Sequence, residues 1–97
     1  ELFSGIEDDE ERLKFILASY NAGPGHVRDA QKLAEKYGKD STQWFGHVDT
    51  FLLLKSNPKY YHDPVVKYGY LRGTESYQFV KEIMERYELY KDAIDAQ

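Results

Sequence analysis

Between Asp8 and Tyr20 the apolar side chains Leu13, Ile16, Leu17 and Tyr20 recur at spacings of three, four and seven, which lines them along one stripe of an α-helix. The acidic run Asp8-Asp9-Glu10-Glu11 falls in the first turn of that helix, where its dipole favours negative charge. A calcium loop would instead need alternating oxygen ligands around a central glycine, and this run has neither. After Gly23, Pro24 suits a first helical position, and Val27, Ala30, Leu33, Ala34 and Tyr37 carry a second helix that Gly38 closes. Asp40 and Ser41 are cap candidates for a third, with Trp44, Val48, Phe51 and Leu52 on one face and Asn57-Pro58 as its stop.

From Lys59 to Arg72 the pattern is irregular. Tyr60, Tyr61, Tyr68 and Tyr70 crowd it and Pro64 interrupts it, so it reads as a packed loop with room for one short helix. Beyond Thr74 the residues Val80, Ile83, Tyr87, Tyr90 and Ile94 step by three and four to about Ile94, predicting the longest helix of the chain. With no strand-like alternation and short connections, the fold class is all-α, with about four to five helices.

Composition narrows the function. Of 97 residues, 41% are hydrophobic, enough for one modest core, and the opening Glu1 leads us to expect a piece of a longer protein. Thirteen basic against 17 acidic residues, with no dense basic cluster, argue against nucleic acid as a partner. No apolar run approaches the roughly 18 to 20 residues of a membrane span. The absence of cysteine removes disulfides, thiolate chemistry and cysteine-held zinc together. His26, His47 and His62 lie far apart with no paired spacing on a helix face, so neither a metal site nor any other cofactor is expected. No serine stands in a Gly-x-Ser-x-Gly turn.

Aromatic residues make up 15% of the chain, which fits either core filling or a groove that stacks against flat ligands such as sugar rings. The segment Ala18-Ser19-Tyr20-Asn21-Ala22-Gly23-Pro24-Gly25 raises the same alternative more sharply. A helix stop needs only one glycine in the left-handed region. An asparagine amide can match an N-acetyl group or hold a carboxyl in place, and a glycine lets a bulky glycan approach the backbone. Equally, Asn21 could cap the helix and Tyr20 could be core.

The stretch from Leu17 to Val27 resembles the Ala-Tyr-Asn-x-Gly motif of lytic murein transglycosylases of the soluble-transglycosylase and goose-type-lysozyme superfamily. Residues Glu11-Arg12-Leu13-Lys14-Phe15, Gly25 to Ala30, Asp63 to Tyr70 and Arg72-Gly73-Thr74-Glu75 resemble the membrane-bound lytic transglycosylase F subgroup, so the similarity covers nearly the whole chain. The resemblance implies a partial lysozyme-like helical lobe acting on peptidoglycan glycan strands at the bond between N-acetylmuramic acid and N-acetylglucosamine. In such enzymes one glutamic acid protonates the leaving oxygen and then, as carboxylate, takes the proton of the muramic 6-hydroxyl, which closes a 1,6-anhydro ring.

That acid belongs to a Glu-Ser dipeptide N-terminal to the Tyr-Asn motif, and neither it nor the accompanying Gly-Leu-Met-Gln stretch occurs here. Glu75-Ser76 follows the motif, in the region of a Glu-Thr-x-x-Tyr-Val signature, so Glu75 is expected to be a first-turn carboxylate. Phe79 stands where that signature has tyrosine, and Tyr77 would face about 200° away on the same helix. Residues 1–97 are therefore expected to be the C-terminal portion of a transglycosylase domain, supplying Tyr20, Asn21, Gly23 and Phe79 to the substrate and no catalytic residue. The resemblance also implies a periplasmic or outer-membrane-associated location. The rival expectation is a non-catalytic helical module that binds glycan or protein. Loss of part of a domain would expose apolar surface and favour a loosened core or self-association.

Overall fold

The computed structural model describes residues 3–96. Five α-helices follow one another with no strand among the described residues: α1 (Asp9–Ala22), α2 (Pro24–Lys36), α3 (Asp49–Leu54), α4 (Pro58–Tyr61) and α5 (Thr74–Asp95). The all-α expectation holds, and most boundaries fall within two residues of the sequence reading.

Asp8 caps α1, its Oδ1 accepting the Glu11 N–H at 3.0 Å, and three acidic residues occupy the first turn. The helix runs on to Ala22, so Asn21 lies inside its last turn. Its buried residues are Phe15, Ala18 and Ser19, while Ile16 and Tyr20 face solvent. The expected stripe is thus rotated, because α1 packs against both α2 and α5 and the small residues let them approach. Gly23, at φ 97°, alone separates α1 from α2, and Pro24 opens α2 without the N–H that would have lacked a partner.

The third helix is shorter than its periodicity suggested. Trp44–Val48 makes a wide turn broken by Phe45, at ψ 127°, and by Gly46, at φ 77°, and regular helix starts only at Asp49. Asp40 closes a local turn by accepting from the N–H and hydroxyl of Thr42 instead of capping a helix. Asn57 both ends α3's connection and caps α4, accepting the Lys59 N–H at 2.9 Å.

The core joins Phe15 of α1, Val27, Ala30 and Leu33 of α2, Trp44, Val48 and Leu52, and Val80 and Met84 of α5. Phe15 meets Trp44 edge to face with centroids 5.2 Å apart. Gly73 lets the start of α5 sit on α3, since a Cβ there would lie 2.5 Å from the Leu52 carbonyl oxygen. Of the predicted α5 face, Val80 is buried and Ile83 and Tyr87 are half-buried, but Tyr90 and Ile94 are each 71% exposed. The reason is geometric: α1 begins at Asp9, and its Glu10 already meets Tyr87 and Lys91, so later turns of α5 have no helix beside them.

Candidate functional site

The end of α1 and the beginning of α5 make a corner on the surface. Tyr20 is 85% exposed, and its ring stacks on that of Phe79 with centroids 6.4 Å apart and planes 24° from parallel. Beside it Asn21, also exposed, accepts a 2.5 Å hydrogen bond at Oδ1 from the hydroxyl of buried Ser76. The chain therefore brings together three of the four expected residues, Tyr20, Asn21 and Phe79, although 58 positions separate Asn21 from Phe79 in the sequence (79 − 21). Gly23 lies two residues further on, its positive φ setting the turn, with open space where a side chain would be.

Two readings left open by the sequence are decided here. Tyr20 is not core. Asn21 does not cap a helix end: its carboxamide oxygen is committed to Ser76, and the N–H of Gly23 closes α1 on the Ser19 carbonyl at 2.8 Å. Phe79, and not Tyr77, is the α5 aromatic that meets Tyr20. Glu75 is exposed in α5's first turn and, with Arg72, Thr74 and Gln78, lines an open bay of about 410 Å³ flanking Ser76. A larger groove, about 660 Å³, lies along the other half of α5 with Phe45, Met84 and Leu89 among its lining residues and does not include the corner. Among the described residues, no group of three or more histidine or acidic side chains could hold a metal ion.

The surplus glycine of the motif has a packing reason. Gly25 receives the Tyr68 ring so closely that a Cβ would lie 2.7 Å from it. Tyr68 is held there from below, because its N–H and that of Lys67 both donate to the Asp29 carboxylate, at 2.8 and 2.9 Å. Asp29 also accepts from Lys55 Nζ at 2.7 Å, and the same ammonium lies 2.6 Å from His26 Nδ1. This network, buried at Asp29 and Lys55, fastens the 67–68 loop and the end of α3 to α2. Sequence reasoning missed it. Asp29 sits next to Ala30 on the apolar stripe of α2, which signals a buried carboxylate, but nothing in the pattern selects Lys55 as its partner.

Burial pushes the Asp29 carboxyl up, but hydrogen bonds from Lys55, Lys67 and Tyr68 outweigh it, leaving the group below its usual range. Lys55 is drawn below the usual lysine range by burial, against the pull of Asp29. His26 is lowered by burial and by the Lys55 cation, with Asp29 opposing. A neutral His26 whose Nδ1 accepts from Lys55 satisfies all three groups.

Fold and site together define an all-α unit that presents a phenol, a phenyl ring and an oriented carboxamide where its first and last helices meet. By sequence the chain is a relative of one segment of the membrane-bound lytic murein transglycosylases F. It is 44% identical over 92% of its length to the protein of that name from Desulfosudis oleivorans. It is 42% identical over 82% to the one from Shewanella woodyi and 41% over 78% to one from Haemophilus influenzae. The chain spans only 19%, 16% and 15% of those proteins respectively. No protein-family model matches it.

Proposed function

We propose that this chain is the part of a peptidoglycan lytic transglycosylase that forms the aromatic and amide wall of the glycan cleft. Tyr20, Asn21, Gly23 and Phe79 contact the sugar, and the glutamic acid that cleaves the bond between N-acetylmuramic acid and N-acetylglucosamine comes from sequence outside these 97 residues. The carrying observation is the exposed Tyr20–Phe79 stack beside Asn21: flat apolar rings suit the faces of pyranose sugars, and a carboxamide suits an acetamido group. The names of the relatives support the same chemistry. The parent protein would act at the cell wall, within the envelope; no described helix of this segment is long and apolar enough to cross a membrane.

In this reading Phe79 serves as a stacking surface and lends no hydroxyl to the acid. The chain alone binds glycan and does not turn it over. The test is digestion of purified peptidoglycan by the chain and by the longer parent protein, followed by chromatography of the products. Anhydro-muropeptides from the parent only are expected. Their release by the 97-residue chain would refute the assignment of the acid elsewhere. Binding without turnover by either protein would favour the non-catalytic module.

A further inference from the structure

We infer that Ser76 is a positioning residue that fixes which end of the Asn21 carboxamide faces a ligand, so that the corner offers a hydrogen-bond donor and selects glycans carrying an acetamido carbonyl. This rests on the glycan reading above and specifies how the site discriminates. An asparagine side chain can turn either its oxygen or its NH₂ outward, and exchanging the two changes what it recognises.

In the structure the Ser76 hydroxyl donates to the Asn21 Oδ1 at 2.5 Å, a separation that fits an O–H···O bond and sets the carboxamide oxygen toward the hydroxyl. Ser76 is buried in α5's first turn, so the hydroxyl that Asn21 meets is held in place. The Nδ2 hydrogens are left on the other side of the exposed carboxamide, whose chain neighbour Tyr20 stacks on Phe79. A sugar stacked on those rings meets a donor, and its 2-acetamido oxygen is a matching acceptor. A 2-hydroxyl at the same place reaches less far and is a weaker acceptor.

The experiment follows side-chain and backbone NMR signals of the isotope-labelled 97-residue chain during titration with chitotetraose and with cellotetraose, which is equally neutral but lacks acetamido groups. Chitotetraose should shift the Asn21 side-chain NH₂ and the Tyr20 and Phe79 rings. Cellotetraose should bind about tenfold more weakly, the worth of one hydrogen bond. Ser76→Ala should shift the Asn21 NH₂ signals of the free protein and abolish most of the preference while the ring shifts persist. Ser76→Thr, which keeps a hydroxyl, should restore the preference. Asn21→Asp retains an acceptor for Ser76 but shows the ligand an oxygen, and should reject chitotetraose. A full acetamido preference in Ser76→Ala would overturn the role of Ser76 while leaving the glycan reading intact. Absence of any ring shift with either sugar would overturn the glycan reading and this inference with it.

Discussion

Lys55 Nζ lies 2.7 Å from Asp29 Oδ2, and neither side chain reaches solvent. Both carboxylate oxygens accept hydrogen bonds, three in all from that ammonium and two backbone N–H groups, which is the condition under which a buried ion pair is tolerated at all. Its value is positional: Lys55 and the 67–68 loop are both tied to one carboxylate of α2.

Removing one partner should be severe. Lys55→Met leaves Asp29 as a buried charge without its ammonium and is expected to lose about 3–5 kcal/mol in urea unfolding. Asp29→Asn in addition should restore part of the loss, because it removes the orphaned charge. Equal and additive losses would show that the pair is not coupled.

The network also sets a pH dependence. The folded-state pKa of His26 is lowered, so its contribution to stability is full above the unfolded value of about 6.5 and declines as pH falls below it. Asp29 is lowered as well, so its contribution is full above the unfolded carboxylate value of about 3.9 and is lost as pH falls through the lower folded value. Urea midpoints should therefore drop between pH 7.5 and 5.5, and His26→Gln should flatten the change in that window while leaving the acid limb in place.

Two glycines make close approaches of different kinds. In Gly73→Ala the new methyl meets the Leu52 backbone carbonyl, so α5 and α3 must separate, with an expected loss of about 1–3 kcal/mol. In Gly25→Ala it meets only the ring of Tyr68, which is half exposed and can swing away. That variant should melt near the parent temperature while shifting the Tyr68 ring signals.

Surface and core aromatics of α1 should separate cleanly. Tyr20→Ala is expected to alter stability by no more than about 0.5 kcal/mol and to weaken glycan binding. Phe15→Ala empties the space against Trp44 and Phe3 and should destabilise by about 3–5 kcal/mol. Thermal melts and a chitotetraose titration of both variants check the contrast.

What the chain revealed beforehand was mostly local. Periodicity and Pro24 located α1, α2 and α5 within two residues, whereas the cap candidates Asp40 and Ser41 misplaced the start of the third helix. The stop after α1 was legible because Gly23 and Pro24 act on their own backbone. Periodicity failed where a long-range partner sets the answer. Ile16 and Tyr20 sit on a helical stripe that tertiary packing turned outward, and Tyr90 and Ile94 continue a stripe past the end of their neighbour. Gly46 broke an apparent helix because apolar spacing does not report a left-handed residue. At the corner, Tyr20 and Asn21 were marked by their own motif. Phe79 was singled out through a family resemblance and Ser76 only as half of a misplaced dipeptide, since nothing short of the folded chain joins α5 to the end of α1. The Asp29, Lys55 and His26 network was invisible for the same reason.

The Asn21–Ser76 bond spans 55 positions and ties the first helix to the last. Closing so long a loop costs more chain entropy than closing a short one, and the contact needs both helices in place. The peptide carrying the motif is complete as soon as α1 exists, whereas an amide of fixed polarity exists only after α5 has docked. On the proposed glycan reading, binding by this corner would therefore also report maturity: nascent or half-assembled chains would display the right letters without the means to use them.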